Sequence, residues 1–201
     1  MPLYSVEYWY NGEANGILEM TEGATHFTPL FVYNKDKGTS VYYDMNNKDT
    51  AIQPFIDYFK KNPKRFKELA KKYAEYCDEL FKLAKNSTFD DFSKMFELIL
   101  NSWPMLGMVM VLGNLEDKSM TQMIKESIAL RKKYDEAVYA AGYKMYYLCI
   151  EKYPKYKDEV DFLTYDEIIS GKFPSKRELD SRKKGYVCLD GELYFGVDVH
   201  K

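Results

Sequence analysis

The sequence predicts a mainly α fold with a small N-terminal β cap (α+β): an antiparallel helical bundle with one long helix and a C-terminal β-hairpin. Three observations predict it. The first 45 residues are rich in β-formers and broken by turn chemistry, while from Asp49 apolar residues recur three and four apart. The chain then closes on two short strand-like runs about an Asp-Gly pair. The expected division is a β-rich cap over 1–48, a helical bundle over 49–160, and connector helices with a hairpin over 161–201, in one compact unit.

Taken in order, "LYSVEYWY" (3–10) alternates and reads as a strand, and "NGEANG" reads as the turn that ends it. "HFTPLFVY" and "TSVYYDM" flank "NKDKG" and predict a hairpin over 27–45. "TAIQPFIDYFKKN" predicts a short helix with an irregular start at Pro54. Asn62 then caps a helix with Pro63 in its first position, where the missing N–H costs nothing. Phe66, Leu69, Ala70, Tyr73, Cys77, Leu80, Phe81 and Ala84 form its buried stripe. A third helix is expected from Thr88 to Asn101, followed by an apolar segment turning at Trp103-Pro104. Ser119 to Tyr153 has no proline and one glycine, and predicts a single helix of roughly 50 Å at 1.5 Å per residue. Its seam runs Met120, Ile124, Ser127, Arg131, Tyr134, Val138, Ala141, Met145 and Leu148. Thr164 with Glu167, and Ser175 with Glu178, form two capping boxes, separated by a bend at Gly171 and Pro174.

Composition narrows the function. Hydrophobic residues make up 46% and aromatics 16%, which is ample core material and excludes a disordered chain. Twenty-nine basic and 31 acidic residues are interleaved, so the basic face of a nucleic-acid binder is not expected. Three scattered cysteines, Cys77, Cys149 and Cys188, form no CxxC pair and argue against a disulfide framework or a zinc site. The N-terminus lacks the pattern of a signal peptide, and the longest apolar run, 105–113, falls short of the roughly twenty residues of a bilayer crossing. A cytoplasmic protein with no membrane partner is the expectation.

No catalytic constellation is expected. His26 and His200 are the only histidines, neither set for a triad or a metal ligand, and no Walker-type loop or GxGxxG occurs. Three residues carry substrate-binding readings. Arg131 on the seam is either a fork of donors for an anionic substrate or, as the i,i+4 spacing favours, a partner of Asp135 or Glu136 or a side chain snorkelling to the edge. Glu7 and Trp9 share one face of the expected strand, where they line a ligand pocket or simply pack against a helix. Met105, Met108 and Met110 read as core filling or an adaptable groove, and "SRKKG" (181–185) as a solvated helix end.

"FLTYDEI", then "ELDSRKKGY", then a short β segment resembles the connector of phosphoenolpyruvate (PEP) synthases and related PEP-utilising enzymes. In that family an aromatic-Leu-Thr-x-(Asp/Glu)-Glu-Ile element and a Glu-Leu-x-x-Arg-(Arg/Lys) helix precede the swivelling phosphohistidine domain. "MPLYSVEYWYNGE", "SVYYD" and "LRKKYDEAVY" are similar, in the same order, to the family's central region. The resemblance implies a phosphate relay in which an ATP-grasp domain, using ATP and Mg, charges a histidine that carries phosphate to an acceptor. The chain departs from the family in lacking an ATP-grasp region and a Gly-rich segment leading to Ser/Thr-Ser-His, and His200 has no such context. It is therefore expected to be a non-catalytic helical domain that positions a small-molecule acceptor or sets the track of the mobile domain. On that expectation it binds no cofactor itself and works with ATP-grasp and phosphohistidine domains in cis or trans. The competing expectation is a free-standing helical binding protein for a small apolar ligand or a protein partner.

Overall fold

A computed structural model describes residues 1–43 and 45–196, with the backbone alone over 45–50. His200 lies outside the described residues.

The N-terminus departs from expectation. Residues 3–10 are not a strand but helix α1 (Leu3–Asn11), and "NGEANG" does not end it. The chain continues helically through a π-helical turn, Gly12–Gly16, into α2 (Ile17–Met20). The reason lies in a helix buried on two sides. Leu3, Val6, Tyr10 and Ala14 face a sheet, while Tyr4 and Tyr8 face the other helices. Two helical stripes together bury positions 4, 6, 8 and 10 and so imitate the period of two of a strand. The glycines serve close packing. A Cβ on Gly12 would lie 2.7 Å from Trp103 Cβ, and one on Gly16 would lie 2.9 Å from Pro104 Cγ.

Strands β1 (Pro29–Asn34) and β2 (Gly38–Tyr43) form the expected N-terminal hairpin. Strands β3 (Gly185–Leu189) and β4 (Glu192–Phe195) form the C-terminal one, across Asp190 and Gly191 at φ 51° and 81°. Positive φ at both turn residues is what a tight two-residue hairpin requires. The sequence does not announce that the hairpins join. They make one antiparallel sheet in the order β2-β1-β3-β4, with Phe31 opposite Cys188 and Tyr33 opposite Tyr186. The Tyr33 and Tyr186 rings stack at 5.1 Å.

Helix α3 (Met45–Lys61) starts before Asp49 and carries Pro54 within it. Helix α4 (Pro63–Asn86) starts behind Asn62 and buries Phe66, Leu69, Ala70, Tyr73, Cys77 and Leu80 as expected, with Phe81 and Ala84 only half-buried. Helix α5 (Phe92–Gly113) corrects the corner at Trp103-Pro104, because the helix runs straight through it. Pro104 removes one N–H from the ladder, and its buried ring packs against the Gly16 backbone. By length and composition the segment Phe89–Gly113 could span a bilayer, and most of it is buried among the other helices. Met105 and Met108 are buried there, and Met110 is exposed.

The single long helix is also corrected. Residues 119–153 fold as α6 (Thr121–Tyr134) and α7 (Ala137–Lys152), offset at Asp135 and Glu136. The offset lets α6 lie along α5 while α7 lies along α4. The seam positions are buried on both segments except at Ile124 and Arg131, which are half-buried.

In the connector, α8 (Tyr165–Ser170) has the full capping box between Thr164 and Glu167 and ends on left-handed Gly171. At α9 (Lys176–Arg182), Ser175 accepts from the Glu178 N–H, but the Glu178 carboxylate turns instead to Arg182. The solvated helix end expected at "SRKKG" is wrong at its central residue. Arg182 is 4% exposed. It donates twice to Glu167 at 2.8 Å, to Glu178 at 2.7 Å and to the Phe162 carbonyl at 2.8 Å, and its guanidinium lies 4.4 Å from the Phe195 ring centre. The two terminal nitrogens are matched in this way, as a buried guanidinium requires, while Nε is buried without an acceptor among the described residues.

Candidate functional site

Residues Glu7, Trp9 and Arg131 do not meet in one place. Arg131 leaves the seam at its edge, half-buried, and donates to Asn114 Oδ1 at 3.4 Å in a surface cleft at the α6–α7 offset. This is the snorkelling arrangement. Glu7 lies on α1 with its Oε2 accepting the Tyr165 N–H at 2.8 Å, so it caps α8 from another element. Burial, with Asp166 and Glu167 adding negative charge, pushes its carboxyl up to about 7 despite that hydrogen bond. It lines a small cleft with Asp166 and Cys188. Burial also pushes the Cys188 thiol up to about 11, and Cys77 and Cys149 up to about 12, so none is an activated thiolate at neutral pH.

Trp9 lines a cleft of about 470 Å³ between α1 and α7. Its inner wall is Tyr8, Trp9 and Trp103, with the two indoles 4.8 Å apart and tilted by 44°. These are the only two tryptophans in the chain. The outer wall is a row on α7, Tyr139, Tyr143 and Tyr147, at i, i+4 and i+8 of one helical face. They are 57%, 70% and 59% exposed, far more than three large aromatics need to be in a chain with this much core to fill. Gly142 sits between the walls, and Ser5 and Asp161 bring polar groups to the cleft. Burial pushes the Tyr8 hydroxyl up to about 12 and raises Tyr146 as well, so both remain protonated hydrogen-bond donors at neutral pH.

One carboxylate holds the inner wall together. Glu13, in the π-helical turn, accepts from Trp9 Nε1 at 2.6 Å and from the Tyr43 hydroxyl at 2.8 and 3.1 Å, with Trp103 Nε1 at 3.5 Å. It ties α1, α5 and β2 to a single point. Burial and the adjacent Glu13 charge raise the Tyr43 hydroxyl well above its ordinary range, keeping it a donor. Sequence reasoning found Trp9 but not Glu13, Trp103 or the α7 tyrosines. For the tyrosines, the spacing of four is the available signal.

The arrangement suits binding. Aromatic faces on two walls, with a few polar groups between them, are the ordinary lining of a ligand recess. Among the described residues, no group of three or more His, Cys, Asp or Glu side chains is placed to hold a metal ion. His26 is exposed and lies outside the strands. No family model, curated protein or solved structure matches the chain.

Proposed function

We propose that this chain is a ligand-positioning module that holds an acceptor with a ring or apolar body in the α1–α7 cleft, as the helical domain of a PEP-synthase-like phosphotransferase. The ATP-grasp and phosphohistidine chemistry resides on other domains, in cis or trans. The single observation that carries the binding part is the tyrosine row facing the tryptophan pair across an open cleft. The link to the phosphotransferase rests on the connector resemblance. Thr164, Glu167, Glu178 and Arg182, which carry that resemblance, bond to one another and shape the connector, as a scaffolding role requires.

A second reading, a free-standing binding protein, is favoured by the return of β3 onto β1, which closes the unit on itself. The two readings share the cleft and separate in one experiment. Aromatic alcohols are titrated into the chain while the indole N–H resonances of Trp9 and Trp103 are followed by NMR. Both readings expect shifts, with Tyr143→Ala weakening binding by about fivefold, equal to ~1 kcal/mol for one lost ring contact. A phosphorylated phosphohistidine domain from a PEP-synthase-like enzyme is then added. Phosphorylation of the bound alcohol supports the first reading, an unmodified alcohol supports the second, and unmoved indole signals sink both.

A further inference from the structure

A second cleft, on the other side of the π-helical turn, has a different chemistry. It is about 330 Å³ in volume and opens between α2, α4 and α5. Leu69, Pro104 and Met105 contribute an apolar floor. Around it stand Asn11, Asn15 and Asn101, with Arg65 and Lys72 about two turns apart on one face of α4. Insertion of a π turn shifts side chains out of the regular helical register, a device often found at functional sites. Here Asn15 Nδ2 donates to Asn11 Oδ1 at 3.0 Å, and Asn11 Nδ2 donates to the Glu7 carbonyl at 2.8 Å. Asn101 Nδ2 donates to the Glu97 carbonyl at 2.8 Å. Each amide nitrogen carries two hydrogens, so Asn15 and Asn101 each retain one N–H for another acceptor.

The charges set the sign of the ligand. Arg65 forms a long ion pair with Glu68 at 3.8 Å and interacts with Tyr58, and its Nε is buried with no acceptor among the described residues. Lys72 lies over the Tyr76 ring at 5.4 Å. Glu19 is the one acidic group in the lining, set against Arg65 and Lys72, and Glu68, which pairs with Arg65, stands outside it. We propose that this cleft binds a small amphipathic monoanion, its head between Arg65, Lys72 and the two asparagine amides and its apolar body on the floor. The site shares no residue with the α1–α7 cleft and stands independently of the function proposed for it.

The test uses the full chain at low salt, with hexanoate as the anion and 1-hexanol as its neutral counterpart. Side-chain amide resonances of Asn15 and Asn101 are followed by NMR. Hexanoate is expected to shift both and to bind several-fold tighter than 1-hexanol. Lys72→Gln is expected to weaken hexanoate by roughly two- to fivefold, the range of one exposed charge contact, with unchanged melting because Lys72 is exposed. Arg65→Gln is expected to do the same. Equal binding of the two probes, shifts confined to Trp9 and Trp103, or no shift at millimolar hexanoate would each overturn the proposal.

Discussion

Replacing Arg182 by methionine tests whether the connector is locked by one guanidinium. The variant loses the paired bonds to Glu167, the bond to Glu178 and the bond to the Phe162 carbonyl. The Glu178 side chain is 49% exposed and rehydrates, so its share is about 0–1 kcal/mol. Glu167 is only 18% exposed, and the Phe162 carbonyl loses its buried donor. Stranding a buried partner of this kind costs about 3–5 kcal/mol. We expect Arg182→Met to destabilise by about 3–4 kcal/mol in urea unfolding, or roughly 10 °C in Tm at this chain length. Because the cost is the stranded carboxylate, adding Glu167→Gln to Arg182→Met should recover about 1–2 kcal/mol. Arg182→Lys should still lose about 2 kcal/mol, because one ammonium cannot present the same planar fork. A loss below about 1 kcal/mol in Arg182→Met, or no recovery in the double variant, would refute the assignment.

Glu7 holds its proton more tightly in the folded state, so its contribution is greatest below about 4.5 and is lost as pH rises through about 7. Glu7→Gln should flatten that decline by about 1–3 kcal/mol in urea titrations at pH 5 and pH 8, and parallel profiles would count against it. Gly12→Ala forces a Cβ to within 2.7 Å of Trp103 Cβ and should cost about 1–3 kcal/mol with a shifted tryptophan emission. Unchanged melting would show that α1 and α5 separate freely there. Arg131→Ala should cost less than about 1 kcal/mol, since the side chain is half-buried at the bundle edge, and a larger melting shift would return it to the seam. Glu13→Gln should loosen the tryptophan pair and red-shift its emission, and an emission identical to the parent would deny Glu13 that role.

Much of the helical framework is legible in the sequence because its signals are local. The α4 stripe and the Thr164–Glu167 box are each set by residues within a few positions of one another. The misread elements were decided at long range. Aromatic and β-branched residues in "LYSVEYWY" favour a strand only weakly, and burial against both a sheet and a bundle overrides that preference. "NGEANG" looks like a turn until Trp103 and Pro104, some ninety residues away in sequence, are seen to need its missing side chains. The offset between α6 and α7 involves no proline or glycine, so only packing marks it. The same holds for the site. Trp9 stands out by its residue type, whereas Glu13 gains its role only when Tyr43 and Trp103 are brought to it.

The pairing of β1 with β3 has a consequence for synthesis. Asn34 leaves the ribosome roughly 150 residues before its neighbour Gly185, a delay on the order of ten to thirty seconds at usual elongation speeds. Throughout that interval the nascent hairpin leaves the β1 edge bare as well as that of β2, open to other chains or to chaperones. Pairing of β1 with β3 therefore waits until Gly185 and its neighbours have been made, and stalling before that point would release a product whose sheet is half built.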